Sequence, residues 1–469
     1  MRALFFLNSL TQKFFQYFKF RTADFTSEKE RGAERFKRIF ATGISSVFSK
    51  SVSLGTTLIT IPLTLKYLGA ELYGLWMTLT SIMLMMNFVD LGIGNGLLNV
   101  ISEFNGRDDR EGVKTYISSA FFELCIIALI ILTIFFISYR FLPFDSIFNV
   151  HTPQARLEAG PACAIFITCF ALNIPLSICD KIRLGYQEGH ITNLWQSLGS
   201  VLGLVLIILC VYTKVELPWL ILAFSGAPLT AYAAHNFYLF FREKPWLRPS
   251  LKYFHFAVSK RLLKIGLLFF ILQAASAFAF TSDNIILAQT LGAQAVSYYS
   301  IPTRLFSIGP LFLTMFLTAL WPAYGEAISR GDMLWAKKTL LKSLVVTLLF
   351  IGFFSLFLLL SYERIINLWI GPNFEINHFL IFGLALWCLF SSIGNSLSMF
   401  LNAANIIKFQ VISAILMSSS AIALKIFLTQ KIGLPGVIWA TIAAYSIFTL
   451  IPCAIYVPKL LSNMGTFRK

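Results

Sequence analysis

The chain has 469 residues, of which 57% are hydrophobic and only 13% charged, whereas a soluble domain carries about 25% charged residues. That balance excludes an ordinary water-soluble protein, and 47 phenylalanines reinforce the point. The net charge of +16 invites a nucleic-acid reading. However, the basic residues lie in loops between apolar runs, where the positive-inside bias of membrane proteins places them, so no nucleic-acid partner is expected.

The first 38 residues form a segment of their own. Phe6, Leu10, Phe14 and Phe18 recur every four residues with polar groups on the other faces, the pattern of a helix lying on a membrane surface; an unstructured tail is the alternative. A secretory signal is not expected, because Gln12, Lys13, Gln16 and Lys19 break the apolar start and no small-residue cleavage site follows.

A bilayer span takes about 20 apolar residues. Hydropathy puts six spans at roughly 39–65, 72–101, 115–139, 161–185, 191–213 and 217–241, then a basic linker at 242–261. Six more follow near 262–289, 295–324, 338–361, 376–402, 406–427 and 434–458, with a short tail at 459–469. The expected fold is an all-α polytopic membrane protein of about twelve helices in two pseudo-symmetric six-helix lobes, residues 39–241 and 262–458.

Loop charge sets the expected orientation. The N-terminal segment, then Arg107, Arg110 and Lys114, then the 242–261 linker, then Arg330, Lys337 and Lys338 are strongly basic, while the intervening loops are sparse. Both termini are therefore expected in the cytoplasm. The chain also repeats. Leu68-Gly69-Ala70 before Tyr73 matches Leu291-Gly292-Ala293 before Tyr298 and Tyr299, and Lys214 to Leu217-Pro218 matches Lys431 to Leu434-Pro435. Two six-span halves in the same orientation place a pseudo-symmetry axis along the membrane normal, with a cleft between lobes.

Charges inside spans are the sharpest chemical signal, since each costs about 2.5–3.5 kcal/mol at a helix centre unless it meets a cavity or a partner. Lys50, Asp90, Asp283 and Arg304 are the candidate cavity residues, with Lys50 and Arg304 suited to an anionic headgroup. Asp283, Glu123 and Asp90 are candidates for coupling to a proton or sodium ion, and pairing of Lys50 with Asp283 is the structural alternative. His235 and Lys425 are weaker candidates, and Asp180, Lys181 and Arg183 are expected at a cytoplasmic helix end. The run Asp90-Leu91-Gly92-Ile93-Gly94-Asn95-Gly96 interrupts a span rather than following a strand, so a nucleotide loop is excluded. Gly92, Gly94 and Gly96 instead favour close helix packing. Pro62, Pro175, Pro228, Pro302 and Pro310 fall within spans and can kink them. No catalytic constellation, metal site or cofactor motif appears, and the seven cysteines read as small packing residues.

The residues from Tyr67 to Trp76, then Asp90 to Asn95, resemble the first two spans of the O-antigen and polysaccharide flippases. These form a branch of the multidrug, oligosaccharidyl-lipid and polysaccharide exporter superfamily. Gly185-Tyr186-Gln187, the stretch from Asp283 to Tyr299, and Trp321-Pro322-Ala323 are similar to later parts of that family, although the segment before residue 39 is longer than the family pattern. The resemblance implies a non-enzymatic flippase of the bacterial inner membrane. It would move undecaprenyl-pyrophosphate-linked oligosaccharide by alternating access, for O-antigen, capsule or exopolysaccharide synthesis. Membrane lipid, a polysaccharide polymerase and a chain-length regulator are the implied partners. The alternatives are a drug or other lipid exporter of the same superfamily, whose drug pocket would be predominantly acidic, a lipid II flippase, which would carry two further spans, and a glycan polymerase or glycosyltransferase, which would need carboxylates in large polar loops.

Overall fold

The computed structural model describes residues 28–85, 89–148, 150–369 and 377–464. The expected surface helix through Phe6 and Phe18 lies outside them. The described residues are almost entirely helical, and eleven helices are long and apolar enough to cross a membrane.

The first half contains α1 (Glu28–Met85), α2 (Ile93–Gly106), α3 (Arg110–Ser138), the short α4 (Phe144–Phe148), α5 (Pro153–Leu176), α6 (Ile178–Gly185), α7 (Gly189–Thr213) and α8 (Leu217–Tyr238). The second contains α9 (Phe256–Leu291), α10 (Ala293–Ser329), α11 (Met333–Trp369), α12 (His378–Ala403), α13 (Ile407–Ile432), α14 (Gly436–Tyr445) and α15 (Ile451–Met464). Helix α1 turns back on itself at Gly69, so its first arm is one span and its second arm, continued by α2, is the broken second span. With this interrupted helix the expected twelve crossings are accounted for, six in each lobe. The first helix begins at Glu28, because the charged turns from Glu28 to Arg38 continue it beyond its apolar part.

The repeat read from two short sequence matches is written much more fully in the backbone. Gly69 (φ 74°, ψ 173°) and Gly292 (φ 89°, ψ 166°) both turn one span into the next. That conformation is essentially restricted to glycine, because a Cβ clashes there. The positive-φ residues Asp108 and Gly331 end the second and eighth spans; Gln187 and Asn405 end the fourth and tenth; Lys214 and Gly433 end the fifth and eleventh. Each pair is separated by nearly the same length of chain, so the two halves share their turns as well as their helix order.

Each lobe has its own apolar core. In the first lobe, Leu97, Ile101, Ile117, Ile178 and Ile182 pack together near one end, and Leu75, Leu79, Phe166, Leu220 and Ile221 near the other. In the second, Tyr324, Leu340, Ile351, Leu384, Phe400 and Ile438 form one large cluster. The outer faces stay apolar and uncovered, as with Val346, Leu349, Phe353 and Leu360 on α11. This inside-out surface is what a helix in lipid requires, since hydrocarbon replaces water as its solvent.

Candidate functional site

The lobes meet at the end that carries the basic loops. Arg35, buried on α1, donates through Nε to Glu326 Oε2 at 2.9 Å and through Nη2 to Asp332 Oδ2 at 2.7 Å. Arg31, one turn earlier, donates to Asp332 Oδ1 at 3.2 Å. Gln187 donates to Glu326 at 2.8 Å, and Arg330 reaches back across the interface to Asp108 at 3.1 Å. Although burial pushes the Asp332 carboxyl upward, hydrogen bonds from Arg31 and Arg35 hold it below the ordinary carboxylate range. Trp335 covers the cluster, with the Arg35 guanidinium 4.9 Å from its ring centre and the Phe36 ring tilted against it at 5.6 Å.

Beneath this charged latch the interface is made by small residues. Gly92, Gly96, Asn99, Ser102 and Gly106 share one face of α2. A Cβ on Gly92 would sit 2.2 Å from the Gly266 carbonyl oxygen, and one on Gly106 would overlap Ser329. Asn99 donates to the Asn402 carbonyl at 2.7 Å and accepts from the Trp321 indole. The Asp90–Gly96 run is therefore a piece of the lobe–lobe contact. Gly92 and Gly96 face the second lobe, whereas Gly94 faces Asp90 and Lys181 in its own lobe. Asp90 is spent on local structure, accepting from the Gly92 and Gly94 amides at 2.9 and 3.1 Å and so capping α2.

Among the described residues, every side-chain hydrogen bond and ion pair between the lobes falls in this half of the molecule. Farther along α1, no side-chain hydrogen bond or ion pair reaches the second lobe among the described residues. Gly43 still touches Phe316 of the second lobe. Lys50 lies two turns beyond it on the same helix face, exposed and without an ion-pair partner among the described residues. Arg304 on α10 is likewise exposed and unpaired there. The structure does not bring Lys50 and Asp283 together as a pair.

Asp283 is instead held within the second lobe. It pairs with the fully buried Lys425 of α13, which also bonds the Ala279 carbonyl, and accepts the Tyr299 hydroxyl at 2.6 Å. This cluster forms one wall of a cavity of about 490 Å³ lined by α9, α10, α12, α13 and the α14–α15 crossing. Lys50 and Arg304 do not line it. Ser391, Asn395 and Ser398 project into it from one face of α12, and Gln410 and Ser413 from α13. Charge alone could not reveal these neutral residues; the available signal was their helical spacing within an otherwise apolar span.

The first lobe buries charge in another way. Arg183, with no exposed surface, binds Glu243 through both terminal nitrogens at 2.8 and 2.6 Å and Glu188 at 2.7 Å. Lys244 closes the network on Glu188 at 2.7 Å, and His235 accepts from Arg183 Nε at 3.3 Å while stacking on Trp195. Glu123 is half-buried on α3 beside Ser259. It lies in neither the latch nor the cavity.

The known proteins similar to this chain fit that architecture. A family model described as "Polysaccharide biosynthesis protein" matches residues 39–328, well over half the chain. The chain belongs to that family. Among named relatives, a Salmonella typhi protein provisionally named an O-antigen transporter is 24% identical over 427 residues, covering 88% of this chain and 94% of its own length. A Yersinia pseudotuberculosis protein provisionally named an O-antigen export protein is 24% identical over 299 residues, 60% and 64% of the two chains. In fold, this polysaccharide biosynthesis protein matches a MATE transporter in its bent conformation with a TM-score of 0.80 at 16% identity, covering 95% and 99% of the two chains. It also matches a multidrug resistance MATE transporter of the MOP superfamily, described as outward-facing, at 0.77 and 16%, covering 92% and 97%.

Proposed function

We propose that this protein is a flippase of the bacterial inner membrane that carries undecaprenyl-pyrophosphate-linked oligosaccharide to the outer leaflet by alternating access, for O-antigen, capsule or exopolysaccharide synthesis. The observation that carries the reading is the unequal lobe interface. One half is locked by Arg31, Arg35, Glu326, Asp332 and a stripe of small residues. In the other half, among the described residues, no side-chain hydrogen bond or ion pair joins the lobes, and two exposed in-span cations, Lys50 and Arg304, have no ion-pair partner. An uncompensated cation facing hydrocarbon is costly, so Lys50 and Arg304 belong to the cleft. There they meet the pyrophosphate, with arginine supplying paired, charge-assisted donors.

In this reading the basic end and both termini face the cytoplasm, and the structure represents the state closed to that side. Substrate enters when the latch opens, with its polyprenyl tail left in lipid, and leaves after the lobes rock. Asp283 and Glu123 are the candidates for proton or sodium coupling, and a polymerase and chain-length regulator act on the released product. The fold also hosts drug exporters, but a cationic drug would be repelled by Lys50 and Arg304.

Deleting the gene is expected to accumulate a lipid-linked oligosaccharide whose mass identifies the glycan. A double Lys50→Ala, Arg304→Ala variant is expected to insert normally yet restore little surface glycan. Full restoration by a stably expressed double variant would remove the cavity role, and drug resistance conferred by the intact chain without any glycan phenotype would favour the exporter reading.

A further inference from the structure

We propose that the cavity inside the second lobe is a binding subsite for a neutral, hydroxyl-rich ring, taking a sugar of the substrate while the cleft cations hold its pyrophosphate. The proposal rests on the flippase reading and adds to it a site for the uncharged part of the load.

The charge balance of the cavity comes first. Among the described residues, Asp283 is its one formally charged lining residue, and Lys425 cancels that charge from behind without itself lining the space. A cationic ligand finds its carboxylate already neutralised. An anionic one finds Lys425 buried and engaged with Asp283 and Ala279. What remains favours an uncharged guest.

The walls are polar in a particular sense. Ser276 and Ser391 donate to carbonyls of their own helices, Leu272 at 2.9 Å and Cys388 at 3.3 Å, so their oxygen lone pairs stay available. Asn395 donates to Thr314 at 2.9 Å, and Gln410 to Asn402 at 2.9 Å, which leaves both side-chain carbonyls as acceptors. The Asp283 carboxylate has lone pairs beyond those facing Tyr299 and Lys425, enough to accept from two adjacent hydroxyls. A surface rich in unspent acceptors suits a guest that brings many O–H donors, since leaving such groups unpaired away from water is costly. Trp387, with Tyr445 5.1 Å and Phe280 5.5 Å away, supplies apolar aromatic surface for the C–H face of a sugar ring. The volume lies in the range of small-ligand sites. Gly394 preserves that space: a Cβ there would fall 1.7 Å from the Tyr445 hydroxyl and force the ring away from α12.

The test uses purified full-length protein in detergent, with saturation-transfer NMR on methyl glucoside, methyl galactoside and N-acetylglucosamine. Tetraphenylphosphonium and glucose 1-phosphate serve as charged comparators. At least one neutral glycoside is expected to bind saturably, and Asn395→Leu and Ser398→Leu are each expected to weaken it at least tenfold. Trp387→Phe should retain more affinity than Trp387→Leu, so the series remains decisive if one variant fails to fold. Absence of saturable glycoside binding to the wild type, equal binding by the two leucine variants, or preferential cavity binding of either charged probe would overturn the proposal. Cells separate this failure from failure of the flippase reading. If deletion accumulates lipid-linked glycan but the leucine variants export it like wild type, the subsite falls and the flippase stands. If deletion accumulates none, the flippase reading falls and the subsite falls with it.

Discussion

The two lobes repeat the same turns, yet they bury charge for different ends. In the first, Arg183 is surrounded by Glu188, Glu243 and His235, with Lys244 closing the ring. In the second, Asp283 and Lys425 pair beside open space, and the neutral polar residues of several helices line the same cavity. A repeated backbone supplies hinges and helix order; it does not oblige the halves to share chemistry. Where the donors of a buried cation are matched by carboxylates, the arrangement reads as a structural clamp. Where an ion pair borders a cavity, it becomes part of that cavity's wall.

The largest expected effect tests the clamp. Arg183→Met leaves two carboxylates facing each other in a buried setting, and breaking a buried pair in this way costs about 3–5 kcal/mol. The variant should melt far below wild type in detergent or fail to purify as a single species. Adding Glu188→Gln and Glu243→Gln should recover much of the loss, because neutral groups no longer need the cation. Wild-type melting of the single variant would mean that the clamp holds nothing together.

Lys425→Met should come next, toward the lower end of about the same range, because Asp283 keeps the Tyr299 hydroxyl and can draw on the adjoining cavity. The double variant Lys425→Met, Asp283→Asn should melt near wild type. If it melts no higher than the single variant, the contrast between a self-contained clamp and a cavity-side pair loses its second member.

A smaller effect is expected at the latch, whose ionic groups would gain water on opening under the proposed alternating access. Arg35→Met removes the hydrogen bonds to Glu326 and Asp332. Hydrogen bonds to charged groups contribute about 1.5–3 kcal/mol each, and hydration of the opened state offsets part of that. Spin labels at Lys37→Cys and Lys338→Cys, in a background without native cysteines, should report one short distance in the parent. A second, longer population should appear with Arg35→Met. An unchanged distribution would show that the small-residue stripe of α2, rather than the charges, keeps the lobes together.

Much of the fold was legible in the sequence because lipid simplifies the code: apolar length gives spans and loop charge gives their alternation. The broken second span was marked by Asp90 and its glycines, and the helical turns by Gly69 and Gly292. The candidate site was less legible. In-span charges were visible one by one, but their partners were not. Asp283 joins Lys425, 142 positions along the chain, and no local spacing announces that. Arg35 read as one more basic residue in a cytoplasmic segment, although it is the buried centre of the latch. The cavity was missed because serine, asparagine and glutamine carry no charge and cost a span little. Only their convergence from separate helices makes them a surface.

The smallest expected effect is a pH dependence that the clamp should show. Burial alone would raise the Glu188 carboxyl, but Lys244 and Arg183 overcome it and hold the group at about 2, below the ordinary 4.5. A carboxylate with a depressed folded value adds stability above its unfolded value and loses it as pH falls through the folded one. The contribution should therefore be complete above about pH 4.5 and disappear toward about pH 2. Glu188→Gln should melt lower than wild type at neutral pH, with a shallower decline in acid, so that the two curves converge near the bottom of that window. Asp332, also held low, should weaken the latch over its own acidic range, seen in the spin-label distance rather than in melting. If Glu188→Gln leaves the acid slope of melting unchanged, acid unfolding begins outside the first lobe's clamp, and the second lobe or the latch is then the less stable part of the molecule.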